Sequence, residues 1–235
     1  MINQEKIIKY DNTGKQNIDD AVIRELRANL VINGELYLSM MCLPQDMAEM
    51  AVGFMFSEGL IKSYADIEKM EATCTGNIFV FTHEPVAPPI KDEEDLPELI
   101  TELTLSYQEI VDIMHNFNKQ SELFNSGGGV HFAALHLKGR ENIFYEDVGR
   151  HNAVDKVVGK ALMENIPINE GTLLISGRIS TEIVLKTARL GIPILISQSG
   201  PTTVSLAHAQ KARLTLIGFA RGTRFNVYAG GQRIV

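Results

Sequence analysis

Apolar residues in the first third of the chain recur with the spacings of two β-hairpins and one helix. Asn33-Gly34 lies between two apolar runs within residues 28–43, which is the strongest short signal for a hairpin. A helix over about 45–57, ended by Gly59, is predicted by five apolar residues on one face: Met47, Met50, Ala51, Phe54 and Met55. Residues 67–83 predict a second pair of strands around Thr75-Gly76-Asn77, with Cys74 at the end of the first strand. This part of the chain is therefore predicted to be α+β.

The next segment lacks the pattern of either a helix or a strand. Four of the eight prolines and the acidic run Asp92–Asp95 fall within residues 85–97, which predicts a linker or mobile loop over 84–98. Ser106 and Glu109 then form a capping box that predicts a helix over roughly 107–118. We therefore divide the chain into an N-terminal α+β region, residues 1–105, and a second domain, residues 106–235.

From residue 130 onward, apolar runs alternate with helical periods. Strands are predicted at about 130–137, 143–146, 172–176, 192–197, 214–219 and 225–228. Helices are predicted over a segment that includes Val154–Leu162 and over about 180–190 and 202–212. Alternation of this kind predicts an α/β domain with a largely parallel sheet covered by helices.

Composition narrows the class of protein. The 235 residues suggest one or two domains, and a hydrophobic fraction of 45% with 22% charged residues is typical of a folded globular chain. A net charge of −7 argues against general attraction to nucleic acid or acidic membranes. Two cysteines cannot form a disulfide framework, and no run of eighteen apolar residues occurs. We expect a cytoplasmic protein that neither crosses a membrane nor binds nucleic acid.

Four glycine-containing turns follow predicted strands of the second domain. In a parallel sheet such turns meet at the carboxyl edge, where helix N-termini bind anions. Four of the ten arginines lie in these turns, and guanidinium groups match phosphate geometry. A site for a polyanion is therefore predicted in the turns at residues 146–152, 176–181, 197–203 and 220–224.

Simpler interpretations of these residues remain open. Glycine and serine are also common in turns for conformational and hydrogen-bonding reasons, and each arginine could pair with a surface carboxylate. His151 could contact a phosphate, act as an acid or base, or only cap a helix. Asp147 could orient Arg150 or bind the edge of an amino-purine, and Asp155 and Lys156 could form an ordinary salt bridge.

Several common chemistries lack their motifs. The isolated histidines and the upstream cysteines do not match a zinc deaminase, so we expect no zinc or other metal site. Neither G-x-S-x-G nor a P-loop occurs. Cys42 and Cys74 are interpreted as buried thiols, because nothing near them in sequence would lower a thiol pKa.

Several segments together resemble the FdhD family of formate dehydrogenase accessory proteins. They cover nearly the whole chain from residue 30: Asn33–Glu35, Met41–Pro44, Gly53–Gly59, Gly128–His131, Glu146–Lys156 (EDVGRHNAVDK), Ser176–Arg178 and Gly218–Tyr228. The resemblance implies a cytoplasmic homodimer whose larger domain has a three-layer, cytidine-deaminase-like fold. It also implies transfer of sulfur from a cysteine desulfurase to the molybdenum cofactor in its bis(molybdopterin guanine dinucleotide) form. That cofactor would be bound as cargo and then pass to formate dehydrogenase.

The resemblance and the turn positions give the candidate cofactor-binding residues. The family's stretch that contacts the cofactor matches Phe219, Ala220, Arg221, Gly222, Thr223 and Arg224. The physical interpretation of the other turns adds Asp147, Gly149, Arg150, His151, Asn152, Ser176, Gly177 and Arg178.

One departure from the family bears on the chemistry. FdhD proteins usually carry a C-x-x-C in the loop before the Gly128–His131 segment, and residues 83–94 contain no cysteine. Cys74 is the candidate substitute as catalytic residue. The alternatives are a sulfurtransferase, a chaperone that binds the cofactor or a guanine nucleotide without carrying sulfur, and a generic nucleotide-sensing module.

Overall fold

The computed structural model describes residues 1–90 and 96–235, which form three sheets and six α-helices. The strands are β1 (Ile2–Asp11), β2 (Gly14–Ile23), β3 (Leu26–Ile32), β4 (Glu35–Cys42), β5 (Ile67–Ala72), β6 (Asn77–Thr82), β7 (His131–His136), β8 (Ile143–Asp147), β9 (Thr172–Ile175), β10 (Ile194–Ser197), β11 (Thr215–Arg221) and β12 (Arg224–Ala229). The helices are α1 (Met47–Ser57), α2 (Tyr107–Gln120), α3 (Glu122–Gly127), α4 (Arg150–Met163), α5 (Thr181–Arg189) and α6 (Thr203–Lys211). The predicted mixed α/β class is confirmed.

Strands β3 to β6 form a four-stranded sheet in the order β4-β3-β6-β5. Asn33 and Gly34 have φ of 50° and 88°, as the predicted tight turn requires. Helix α1 packs on one face of this sheet, where Leu30, Met50 and Ile78 are fully buried. Cys74 lies in the turn between β5 and β6, so its predicted place in a strand is wrong.

Strands β7 to β12 form a six-stranded sheet in the order β12-β11-β10-β9-β7-β8. Strand β10 is parallel to both β9 and β11, whereas β12, β7 and β8 join their neighbours antiparallel. The prediction of a largely parallel sheet is therefore correct only for the three central strands, and the sheet is mixed. Strands β7 and β12 run opposite to β8, β9, β10 and β11, because each pairs with β8 or β11 in a hairpin, which needs no crossover helix.

Helices cover both faces of this sheet. Along β9, Leu173 and Ile175 pack toward α4, α5 and α6, while Leu174 packs on the opposite face with α2. Helix α2 begins with the predicted capping box, in which Ser106 Oγ accepts from the Glu109 N–H. The result is three layers, and the finer likeness to cytidine deaminases stays a prediction.

A crossing of two helices joins the small sheet to the large one. A Cβ on Gly53 of α1 would lie 1.8 Å from the Asp155 carbonyl oxygen, and one on Gly159 of α4 would lie 1.8 Å from the Glu49 carbonyl oxygen. Only glycine at both positions allows the two backbones to approach this closely. The crossing therefore fixes how the two cores meet.

Two segments differ from the sequence-based expectations, and a third lies outside the described structure. Strands β1 and β2 form an antiparallel ribbon where the polar N-terminal sequence gave no predicted element. Residues 99–105 pack against the second domain, through backbone bonds from Leu99 to Ala212 and from Leu105 to Arg233. Residues 91–95 of the predicted linker lie outside the described part of the chain. Within that part, no helix is long and apolar enough to cross a membrane.

Gly53→Ala tests the helix crossing. The added methyl group would overlap the backbone of α4, so we expect a loss of about 3 kcal/mol in the free energy of unfolding. An ordinary helical Gly→Ala change would instead stabilise by roughly 1 kcal/mol. Urea unfolding measures the difference, with Lys160→Ala on the exposed side of α4 as the control. A Gly53→Ala protein as stable as the wild type would contradict the crossing.

Candidate functional site

The topology brings the predicted turns to one edge of the six-stranded sheet. Strands β9, β10 and β11 are parallel and end at this edge. Strand β7 is antiparallel to β9 and therefore starts there, at His131, while β8 ends opposite it at Asp147. The predicted convergence of the four turns is confirmed. Four strand spacings separate β8 from β11, so the turns are spread over about 19 Å.

Hydrogen bonds hold three of these turns together. Ser197 Oγ donates to the Gly177 carbonyl at 2.6 Å, and the Ile179 N–H donates to the Gly200 carbonyl at 3.1 Å. Arg221 Nε donates to the Gln198 carbonyl at 2.8 Å. The turns after β9 and β10 and the end of β11 therefore form one connected surface.

The first positive locus on this edge surrounds Gly177. A Cβ on Gly177 would lie 3.3 Å from Arg150 Cβ and from His131 Nδ1, so these two side chains flank the glycine. Ser176 Oγ accepts from the Phe132 N–H at 3.0 Å. Burial lowers the pKa of His131, and the charges of Arg150 and Arg178 lower it further. The neutral form of this histidine is therefore favoured between two guanidinium groups.

Arg150 is the best-placed anion donor of this locus. Its Nε is buried, and among the described residues it has no hydrogen-bond partner. A buried donor without a partner costs free energy, which an acceptor on a ligand would recover. Arg178 is exposed beside it.

Asp147 and Asn152, which were predicted to contact the ligand, form hydrogen bonds that hold the turn itself. Asp147 is fully buried, with one oxygen 2.7 Å from Lys156 Nζ and 3.1 Å from the Leu43 nitrogen. Its other oxygen accepts from the Gly149 N–H and from Asn152 Nδ2. Asn152 also donates to the Met41 carbonyl at 2.8 Å. Asp147 therefore neither pairs with Arg150 nor reaches a purine, because its oxygens are occupied.

The second positive locus is the turn between β11 and β12. Arg221 and Arg224 pair across this turn and are exposed, and Gly222 between them has φ of 59°. The carbonyl oxygen of Thr223 accepts from Tyr107 Oη at 2.6 Å. Phe219 has φ of 52° and packs over Gly200, whereas the Ala220 side chain is buried in the core. The exposed parts of this stretch are therefore the Phe219 ring and the turn Arg221–Arg224, of which the two arginines carry positive charge.

His151 faces a different place from Arg150. It lines a cleft of about 390 Å³ between β4, α1, α4 and α5, together with Asp155 and Lys186. Its Nε2 lies 3.1 Å from a Glu182 oxygen without hydrogen-bond alignment. Burial, followed by the charges of Lys186 and Arg150, lowers the pKa of His151 to about 4. His151 is therefore neutral at neutral pH and belongs to this cleft.

Two ion pairs of the Glu146–Lys156 segment were not predicted. Asp155 and Lys156 do not pair with each other: Asp155 binds Lys186 at 2.6 Å, and Lys156 binds Asp147. Ser57 Oγ adds a contact of 3.2 Å to Asp155. Lys186 and Ser57, the partners of Asp155, lie far from it in sequence. The only sign of these ion pairs in the sequence is the presence of charged residues in a helix that is otherwise apolar on its buried face.

The edge is an open surface. In the described structure, cavities of about 280 to 510 Å³ are lined by other residues, and none of these cavities includes Arg150, Arg178, Arg221 or Arg224. The arginines share an edge of the sheet, and Arg178, Arg221 and Arg224 are exposed there. Among the residues that the structure describes, no cluster of three or more potential metal ligands occurs.

The two cysteines have opposite environments. Cys42 is buried, and desolvation followed by the charge of Asp147 raises its pKa to about 11. Cys74 is exposed, so its predicted burial is wrong. Its turn lies at the end of the small sheet where β4 stops, with the paired strand β3 between β4 and β6. Of the two thiols, only Cys74 is accessible to a reactant.

Comparisons with known proteins agree with this architecture. The family model described as FdhD/NarQ matches residues 23–96 and 84–235. The sulfur carrier protein FdhD of Wolinella succinogenes is 34% identical, over 97% of this chain and 89% of that protein. The FdhD of Listeria monocytogenes is 32% identical, over 100% and 99%. A crystal structure of a formate dehydrogenase accessory protein from Desulfotalea psychrophila superposes with a TM-score of 0.90 at 32% identity, over 100% of this chain and 99% of that one.

His151→Gln tests the environment of the cleft. Because the folded pKa of about 4 lies below the usual 6.5, the unfolded chain binds more protons between these values. The wild type should therefore lose stability as pH falls from about 6.5 to 4, by at most about 1.4 kcal/mol per pH unit from this group. The variant should show a shallower decline in urea unfolding at pH 7, 6 and 5. Equal slopes would show that His151 is accessible to solvent.

Proposed function

Because the chain belongs to the FdhD/NarQ family, we propose that it serves formate dehydrogenase by binding the molybdenum cofactor as cargo along the arginine-bearing edge of its large sheet. The observation that carries this proposal is the meeting of four turns, three of which together carry four arginines, at one edge in a chain of net charge −7. A bis-guanine-dinucleotide cofactor carries two pyrophosphates, and guanidinium groups bind phosphates by paired hydrogen bonds.

The geometry of the edge fits an extended ligand. The Arg150 and Arg178 locus lies at Gly177, after β9, and the Arg221 and Arg224 locus lies at the end of β11, about 10 Å or two strand spacings away. Two such loci would hold two separate phosphate groups. The exposed Phe219 ring beside the second locus offers an apolar face to a purine or pterin ring. An open surface also suits cargo that must be handed to another protein.

Transfer of sulfur would depend on Cys74. The relatives are sulfur carriers by name, and of the two cysteines only Cys74 is exposed. Its thiolate would attack the outer sulfur of a persulfide on a cysteine desulfurase. The donor S–S bond would break as the new one forms, and the donor cysteine would leave as a thiolate, with no external oxidant required.

A chaperone without a covalent step is the second candidate function. It is favoured by the absence of cysteine from residues 83–94, where the family's C-x-x-C would be expected, and by the intact arginine edge. In this function the chain protects and delivers the cofactor, and another protein supplies the sulfur. The two functions share the binding edge and differ only in the role of Cys74.

Arginine variants test the binding edge. With GDP as the probe, the wild type should bind one equivalent at each locus, and Arg224→Ala and Arg150→Ala should each weaken the binding of one equivalent about thirtyfold, since a charged hydrogen bond to phosphate contributes about 2 kcal/mol. Isothermal titration at fixed salt concentration measures the effect. Arg140→Ala, at the opposite edge of the sheet, is the matched control and should bind as the wild type does. Equal binding by all three variants would refute the site.

A generic nucleotide-sensing module would pass this binding test. Complementation of a strain that lacks its own accessory protein separates the two functions, because only a true accessory protein restores formate dehydrogenase activity. Binding of GDP without complementation would leave the nucleotide site but refute the accessory role.

Cys74→Ser tests sulfur transfer. After incubation with a cysteine desulfurase and cysteine, intact mass spectrometry of the wild type should show one added sulfur atom. Cys74→Ser should lose this adduct, while Cys42→Ser should keep it, because the Cys42 thiol is buried with a pKa near 11. A wild type with no adduct, yet with full complementation, would establish the chaperone instead.

A further inference from the structure

His131, the first residue of β7, belongs to the first positive locus of the edge. A Cβ on Gly177 would lie 3.3 Å from Arg150 Cδ and 3.3 Å from His131 Nδ1, so the absence of a side chain on the glycine leaves an opening between these two residues. His131 is half-buried, and its Nε2 makes no hydrogen bond to any described residue. This ring nitrogen is therefore available to a ligand.

The other ring nitrogen of His131 contacts Ser176. His131 Nδ1 lies 3.3 Å from Ser176 Oγ, and the same oxygen accepts from the Phe132 N–H at 3.0 Å. A hydroxyl group can donate to a neutral imidazole or accept from an imidazolium. The contact therefore orients the ring and is compatible with both of its charge states.

The backbone of the Ser176–Arg178 turn adds further donors to this locus. Within the described part of the chain, the N–H groups of Gly177 and Arg178 donate to no acceptor. Consecutive N–H groups in a turn can bind an anion, and a glycine allows the anion to approach the backbone closely. The turn therefore offers donors to a phosphate in addition to the guanidinium groups.

Without a ligand, the surroundings of His131 disfavour its protonated form. Burial lowers the pKa of His131, and the charges of Arg150 on α4 and Arg178 on the turn after β9 lower it further. A phosphate between these two guanidinium groups would place negative charge beside the ring, and a nearby opposite charge favours the imidazolium. The charge state of His131 therefore depends on whether the locus is occupied.

Other titratable groups around the locus are paired or neutral. Asp147 lies opposite His131 across the β7–β8 ladder, and its carboxylate binds Lys156. Glu146 of β8 accepts from groups at the start of α3. Burial lowers the pKa of His151 on α4 to about 4, so this histidine is neutral at neutral pH. His131 is therefore the group of the locus whose charge a bound phosphate is best placed to change.

We propose that the binding of a phosphate between Arg150 and Arg178 is coupled to the uptake of one proton from the solvent by His131, whose imidazolium becomes the third cation of the locus. This inference deepens the proposed function and rests on it. The proton adds a charge-assisted hydrogen bond from Nε2–H to a phosphate oxygen. Affinity at this locus therefore rises as the pH falls, and loss of the proton favours release of the cargo.

The pH dependence of binding tests this coupling on the full chain. The probe is guanosine diphosphate mannose, because its pyrophosphate is esterified at both ends, whereas a terminal phosphate titrates at about pH 6. An Arg224→Ala background restricts the measurement to the Gly177 locus. In isothermal titration the affinity should fall about tenfold from pH 5.5 to pH 8, since one coupled proton changes affinity by at most about tenfold per pH unit. Titrations in two phosphate-free buffers of different ionisation enthalpy should show net proton uptake.

His131→Gln separates this role from a purely structural one. Glutamine can donate a hydrogen bond to a phosphate but cannot take up a proton at these pH values. In the same background the variant should therefore bind about tenfold more weakly at pH 5.5, and its affinity should no longer rise as the pH falls. The matched control is His115→Gln, on the exposed surface of α2, which should keep the full pH dependence. His151→Gln should also keep it, because that side chain faces the cleft.

NMR titration of the histidine rings gives a second measurement that does not depend on how well His131→Gln folds. In the Arg224→Ala protein, saturation with the probe should raise the pKa of His131, whose resonances are identified by their contacts to Phe132. A pH-independent affinity, an unchanged pH dependence in His131→Gln, or a ring titration that the probe does not move would overturn the proposal. Binding without proton uptake would leave the arginine edge in place, whereas no binding at all in this background would refute that locus of the edge and this inference with it.

Discussion

The close crossing of α1 and α4 at Gly53 and Gly159 is the contact on which the rest of the molecule depends. It joins the core of the small sheet to that of the large one, with backbone atoms in direct contact where any side chain would clash. The crossing places Ser57 beside Asp155, at 3.2 Å. It also leaves the end of β4 against the start of α4, where the Leu43 nitrogen contacts Asp147. The geometry of the β8–α4 turn, and therefore of Arg150, follows from this packing.

Two buried ion pairs stabilise that junction, and each includes at least one residue of the segment Glu146–Lys156. Asp147 with Lys156 fixes the turn, and Asp155 with Lys186 joins α4 to α5. Each carboxylate accepts an additional hydrogen bond: Asp147 from Asn152, and Asp155 from Ser57. Removing one member would leave an uncompensated buried charge, which costs about 3–5 kcal/mol. The segment thus divides its residues between support of the turn and presentation of Arg150 at the edge.

Local signals in the sequence predicted local structure well, and partners distant in sequence account for most errors. The Asn33-Gly34 turn and the Ser106 capping box depend on a few neighbouring residues, and both are as expected. Apolar runs do not distinguish parallel from antiparallel neighbours, so the mixed sheet could not be foreseen. Asp147 looked like a ligand contact because one of its partners, Leu43, is 104 residues away. The arginine edge was predictable because it requires only that consecutive strands end on the same side.

The separation of the two units also explains how binding and sulfur transfer can be independent. The arginine edge belongs entirely to the large sheet, whereas Cys74 and the segment after β6 belong to the small one. The β8–α4 turn is supported by Asp147 and Lys156, and neither contact involves a cysteine side chain. The C-x-x-C that the family resemblance implies is absent from residues 83–94, and none of the described contacts that hold the edge in place involves a cysteine side chain. The proposed binding of an anionic cargo is therefore independent of the proposed transfer of sulfur, because the arginines and the groups that position them lie on the other side of the helix crossing from Cys74.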